Sequence, residues 1–184
     1  HHLEELMQAS PDSAWARTAQ RRMPTFLARS AEDLFKNGDY EKAIKTYTRA
    51  KQEYPTSVEA VEADSRIPFI IYAQAEFFSQ QGQHQNALER LQRLIKDYPG
   101  TEWEAKARVR APQVHLGIAS NKLKAGDYEE ALKILENILQ QSPGSEIGAQ
   151  ARAMAAECLY QQWARMRAAG RQGEAETAMK KLAE

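Results

Sequence analysis

A fixed period of 44 residues constrains this chain more than any other feature. Gly38, Gly82, Gly126 and Gly170 are spaced by it, and so are Pro11, Pro55, Pro99 and Pro143. Two alanine columns follow the same step: Ala43, Ala87, Ala131 and Ala175, then Ala19, Ala63, Ala107 and Ala151. A fifth column reads Ser13, Ser57, Thr101 and Ser145. Five columns in register over four blocks are the signature of a repeat architecture, in which each block shelters the apolar face of its neighbour.

Each column has a physical task. The hydroxyl residues stand two positions after a proline and just before a helical stretch, where a side-chain oxygen can accept from free first-turn amides. The glycines, in Gly38-Asp39-Tyr40 and Gly126-Asp127-Tyr128, mark corners where one helix stops and the next begins, often through a left-handed residue. Alanines 43, 87, 131 and 175 fall early in the second helix, where a small side chain allows close helix approach. Pro55, Pro99 and Pro143 end that helix, since proline has no amide to donate.

Between these markers the apolar spacing is helical. Ala43-Ile44-Tyr47-Ala50, Leu88-Leu91-Leu94-Ile95 and Leu132-Leu135-Ile138-Leu139 recur at three and four, giving each helix one face to bury. No useful length of strand-like alternation occurs, so the expectation is all-α. Arg22-Met23-Pro24, Arg66-Ile67-Pro68 and Arg110-Ala111-Pro112 also share the period, with Met154-Ala155-Ala156 in the fourth block. A proline there either kinks a long helix or opens a new one. Each block is accordingly read as a short helix, a proline-marked bend into a second segment, and a third segment after the glycine. The first two together would run about 24 residues, roughly 36 Å if straight.

The columns resemble the tetratricopeptide repeat. Block one supplies Ala31, Gly38, Tyr40, Ala43, Tyr47, Ala50 and Pro55. Block two has Ala75, Gly82, Ala87, Leu91, Leu94 and Pro99. Block three has Ala119, Gly126, Tyr128, Ala131, Leu135, Ile138 and Pro143. The fourth keeps Gly170 and Ala175 and drifts to Gly173 and Glu176, as a terminal cap does. The family unit is 34 residues, so each block carries ten extra within its first helix. The resemblance implies an all-α, tetratricopeptide-like α-solenoid of stacked antiparallel helices, the first helix of each unit lengthened and proline-bent. It implies one domain over residues 1–184, with units 11–54, 55–98, 99–142 and 143–184. Tyr54-Pro55-Thr56-Ser57 and Tyr98-Pro99-Gly100-Thr101 look like junctions of bacterial cell-envelope members, among them the β-barrel assembly lipoprotein and the TolA-binding periplasmic coordinator. That likeness favours periplasm or envelope over cytoplasm.

Chemistry for catalysis is missing from the sequence. His84 takes the turn place of Tyr40 and Tyr128, and His115 the place of Leu27 and Ile71; both read as packing residues. Cys158 aligns with Phe26, Ile70 and Val114, which makes it a small core residue. There is no His-Glu-x-x-His, Cys-x-x-Cys or glycine-rich phosphate loop, so no catalytic residue, metal or cofactor is expected. Lys plus Arg and Asp plus Glu both number 25, without the basic excess of a nucleic-acid binder. No apolar run reaches the roughly 20 residues of a membrane span. His1-His2 is read as a tag remnant, which leaves room for an upstream signal or lipid anchor.

The resemblance implies a non-catalytic scaffold or adaptor that binds a protein or peptide along the face of its first helices. The implied positions are Thr25, Ala28, Glu32, Phe35 and Lys36; Phe69, Tyr72, Glu76, Ser79 and Gln80; and Gln113, Leu116, Ser120, Leu123 and Lys124. Among these, Phe69 and Tyr72 are either partner anchors or inter-repeat core. The Lys/Asn carboxylate clamp of chaperone-binding members is not reproduced, because Ala73 and Gly117 stand where asparagine would help. The arginine column has two readings: a ladder for an acidic peptide, or pairing of each arginine with a nearby carboxylate or freed carbonyl. The second is preferred. Trp15 and Trp103 are expected to staple adjacent units, and Trp163 to seal the stack or offer an apolar end. Self-association, or service as an accessory domain, is the alternative.

Overall fold

A computed structural model describes residues 13–171 together with Glu5, Gly173 and Glu176. Seven helices are bounded among them: α1 Ala14–Lys36, α2 Tyr40–Glu53, α3 Val58–Gln80, α4 His84–Asp97, α5 Glu102–Ala125, α6 Tyr128–Gln141 and α7 Glu146–Ala168. The described residues contain no strand. The fold is all-α, of the helical-repeat solenoid class. Pro11, Ala175 and the His1-His2 pair lie outside the described residues.

The repeat columns act as expected at the helix ends. Ser13 Oγ accepts from the Ala16 amide at 3.0 Å, Ser57 from Ala60 at 3.1 Å, Thr101 from Glu104 at 3.2 Å and Ser145 from Gly148 at 3.0 Å. Each bond satisfies one amide that the first turn cannot use. The corner glycines 38, 82, 126 and 170 all adopt positive φ, between 72° and 82°. A Cβ disfavours that conformation, and there the chain reverses while the next amide closes on a carbonyl five residues back, as Asp39 does on Leu34 at 2.9 Å.

The prolines behave differently from the three-segment reading. Pro24, Pro68 and Pro112 stand inside unbroken helices of 23, 23 and 24 residues. The proline-free α7 also has 23, so proline does not set the length. Each proline forgoes one helical hydrogen bond, to the carbonyl of Gln20, Asp64 or Arg108, at a cost of about 3 kcal/mol. The Pro24 and Pro68 rings are buried, and packing along the rest of these long helices offsets the lost bond.

The contacts form two compact units, His1–Gln74 and Ala75–Glu184. In the first, α1 packs on α2 around Met23, Leu27 and Ala50, with Tyr54 against them. Ala31 and Ala43 are fully buried there, which lets the two backbones approach. In the second, α4 packs on α5, α5 on α6 and α6 on α7. Its core joins Leu116, Ala119, Ala131, Leu135, Ile138, Ala151 and Cys158. Burying each large aliphatic there is worth about 1.5–3 kcal/mol. Leu116, expected on the partner face, is only 4% exposed and belongs to this core instead.

Candidate partner-binding face

In the first unit the capped, unbroken α1 presents Thr25, Ala28, Arg29, Glu32, Asp33 and Lys36 along one stripe, at helical spacings of three and four. With Glu59, Glu62, Ser65 and Arg66 of α3, and Tyr47 of α2, this stripe lines an open cleft of about 700 Å³. Thr25, Ala28, Glu32 and Lys36 were expected on this face. Thr25 and Lys36 are exposed and Ala28 is buried. Arg29, Asp33, Glu59 and Glu62 were not singled out, although the spacing of α1 alone places positions 29 and 33 between those that were.

Glu32 organises the cleft. Its carboxylate accepts from Arg66 through both oxygens, Nε to Oε1 at 2.7 Å and Nη2 to Oε2 at 2.6 Å. The Tyr47 hydroxyl donates to Oε1 at 2.6 Å. Burial by itself would raise the Glu32 carboxyl, but the Tyr47 hydrogen bond, Arg66 and Lys36 bring it below its ordinary value. Tyr47 moves the other way: burial and the neighbouring carboxylate push its phenol up to about 12. Thr25 Oγ1 donates to Glu59 Oε1 at 2.5 Å, a second tie between α1 and α3. Glu32 is therefore committed to the fold, while Lys36 projects free of such a tie.

Phe69 takes a packing role. Its ring meets Phe35 edge-on, with centroids 5.3 Å apart, and the Arg66 guanidinium lies 4.7 Å above it. The ion pair thus rests on an aromatic floor. Tyr72 is half-buried on the same helix. Of the two readings of the arginine column, pairing with carboxylates holds for Arg66 and again for Arg110. Arg110 donates to Glu76 at 2.6 and 3.2 Å, with Ser79 Oγ at 3.4 Å.

In the second unit, Gln80, Gln113 and Lys124 are exposed and Ser120 is half-buried. Two clefts of this unit are lined by other residues. One of about 290 Å³ is lined by residues of α5 and α6, including His115 and Lys133. Another, of about 420 Å³, joins the α6 start to the α7 end. His84 packs its imidazole where a Cβ on Gly117 would sit, only 2.5 Å away. That contact gives Gly117 a reason independent of any peptide clamp. Burial, then Arg110 and Lys124, lower the His84 pKa, and burial lowers that of His115. Cys158 is fully buried, and burial pushes its thiol up, the opposite of an activated nucleophile. Trp103 lies under Lys106, at 3.9 Å to its centroid. Trp15, expected as a staple, is 82% exposed and packs against no other unit among the described residues. Trp163 packs beside Tyr160, centroids 5.6 Å apart. Among the described residues no three His, Cys, Asp or Glu gather as a metal site, and no helix is long and apolar enough to cross a membrane.

Capped helix pairs, repeated around glycine corners and presenting first-helix side chains, define a helical-repeat protein. Two family models carry the assignment further. One, described as tetratricopeptide repeat, matches residues 27–57 and 71–101, and another of the same description matches 122–184. The chain belongs among the tetratricopeptide-repeat proteins, whose repeats mediate protein–protein interaction. The first two matched segments begin three residues after Pro24 and Pro68, so the part of α1 and α3 ahead of each proline lies outside them. No curated protein matches the chain.

Proposed function

We propose that this chain is a non-catalytic adaptor, a long variant of the tetratricopeptide repeat, that holds an extended segment of a partner protein in the cleft between α1 and α3. The observation that carries the reading is the cleft itself. It is open, it is walled by first-helix residues of consecutive blocks, and its floor is fixed by the Glu32–Arg66–Tyr47 network. Fixing the floor in advance reduces the ordering cost on binding. The walls offer both charges, Arg29 and Lys36 against Asp33, Glu59 and Glu62, which suits a polar segment of mixed charge. The junction phrases Tyr54-Pro55-Thr56-Ser57 and Tyr98-Pro99-Gly100-Thr101 support a place in a bacterial envelope complex.

Photo-crosslinking tests the site. A crosslinking residue at Lys36 is expected to capture one partner peptide, while one at Lys45, exposed on α2 and away from the cleft, captures none. Equal capture from both positions would remove the cleft from the mechanism.

A further inference from the structure

One surface of the first unit is built like an internal junction, but none of the described residues covers it. At the junction of the first two blocks, Arg66 is held by Glu32, which stands 34 residues earlier. At the next junction Arg110 is held by Glu76, again 34 residues earlier. Arg22 occupies the same column; it is exposed, and no carboxylate holds it among the described residues. The apolar column four residues on behaves alike. Ile70, Val114 and Cys158 are 0%, 1% and 0% exposed, whereas Phe26 is 54% exposed. Arg22 and Phe26, with Trp15, Ala19 and Arg29, line an open cavity of about 530 Å³ on α1.

We propose that this face of α1 is the docking face for a further repeat block of the same polypeptide, lying ahead of it and offering a carboxylate to Arg22. The sequence supplies an independent sign. Leu3 stands in the column of Tyr47, Leu91 and Leu135, Leu6 in that of Ala50, Leu94 and Ile138, and Pro11 in that of Pro55, Pro99 and Pro143. All six of the named residues at 47, 91, 135, 50, 94 and 138 are buried second-helix positions. The sequence columns therefore continue ahead of Ser13 in the second-helix register, and the proposed block supplies the first helix that goes with them. A second copy stacked end to end fits poorly, because it would bring Ala164 to Arg22, with Arg165 and Arg167 beside it. Two copies joined through this face would oppose arginine to arginine.

The natural polypeptide, with the residues that precede His1, provides the test against the 184-residue chain. The block requires Asp or Glu 34 residues ahead of Arg22. Arg22→Glu and Phe26→Asp are each expected to lower the Tm of the longer protein by about 4 °C or more and to leave that of the 184-residue chain unchanged. Reversing the upstream acid to Arg should restore the longer Arg22→Glu protein. Absence of an acid at that position, or equal Tm changes in both proteins, would overturn the proposal. So would dimerisation of the 184-residue chain in sedimentation that Arg22→Glu abolishes, since a second copy would then be the occupant.

Discussion

The two units solve the same junction with different chemistry. In the first, Glu32 takes a bidentate arginine and a tyrosine hydroxyl, and the arginine is stacked on Phe69. In the second, Glu76 holds Arg110 less symmetrically, with Ser79 as the extra contact. The last junction has neither member: Ser120 replaces the acid and Met154 the arginine. Met154 instead packs against the core of Leu116, Leu135 and Cys158. Acid and arginine are lost together, which is what a pair acting across 34 residues requires. An ion pair costs desolvation and constrains register, whereas methionine is more tolerant of how its neighbours fit. Register is thus set most strictly in the first unit and most loosely at the final junction.

The most disruptive way to probe this difference is to remove the acids singly. Glu32→Gln removes the charge and one of the two oxygens that serve Arg66 and Tyr47, putting an NH2 donor against the guanidinium, and should cost about 2 kcal/mol. The side chains of Glu32 and Arg66 are 29% and 33% exposed, so solvent compensates part of the loss. Glu76→Gln leaves Arg110 with Ser79 and should cost about 1 kcal/mol. Urea unfolding of both variants reads the two values; equal costs would mean that Tyr47 and the aromatic floor contribute nothing.

A second manipulation rebuilds the missing pair. Met154→Arg alone loses packing and brings in an unpaired charge, and Ser120→Glu alone adds an unpaired acid. Together they should recover about 1 kcal/mol in a double-mutant cycle. A coupling near zero would show that the final junction cannot reproduce the geometry of the other two.

The smallest effect separates the units by pH. Among residues 13–171 the histidines are His84 and His115, both in the second unit. Their folded pKa values lie below the ordinary value of 6.5, so the unfolded chain binds protons first. The stability contributed by the neutral rings is complete above about pH 6.5. It declines as pH falls below that value and levels off beneath the folded pKa values. Amide exchange at pH 7.5 and 5.5 should show protection falling in α4 and α5 with α1 and α2 unchanged. A uniform fall across both units would refute the assignment to the two imidazoles.

Much of this is legible in the amino-acid sequence itself. The hydroxyl caps, the glycine corners, the buried alanines and the burial of Cys158 each follow from local stereochemistry or side-chain size, and among the described residues they stand where the period put them. Pro24, Pro68 and Pro112 were legible as residues and misleading as signals. Proline's local cost argues for a break, yet the packed face of a 23-residue helix outweighs it. Leu116 misled in another way, since a family's exposed position need not face solvent when the helix carrying it is lengthened and repacked. Arg29 and Asp33 lie on the same stripe from Thr25 to Lys36, so helical spacing already contains them.

By itself the sequence determined the all-α class, the block length and the capped and glycine-cornered ends of the described helices, because caps, corners and small residues act within a few positions of the chain. Tertiary structure alone decided that Arg66 and Arg110 hold carboxylates, that Phe69 lies beneath a guanidinium, and that His84 fills the space left by Gly117. The ion pairs, the Phe35–Phe69 ring contact and the His84–Gly117 contact join residues 33 or 34 positions apart, and only packing fixes which side chains meet at that range.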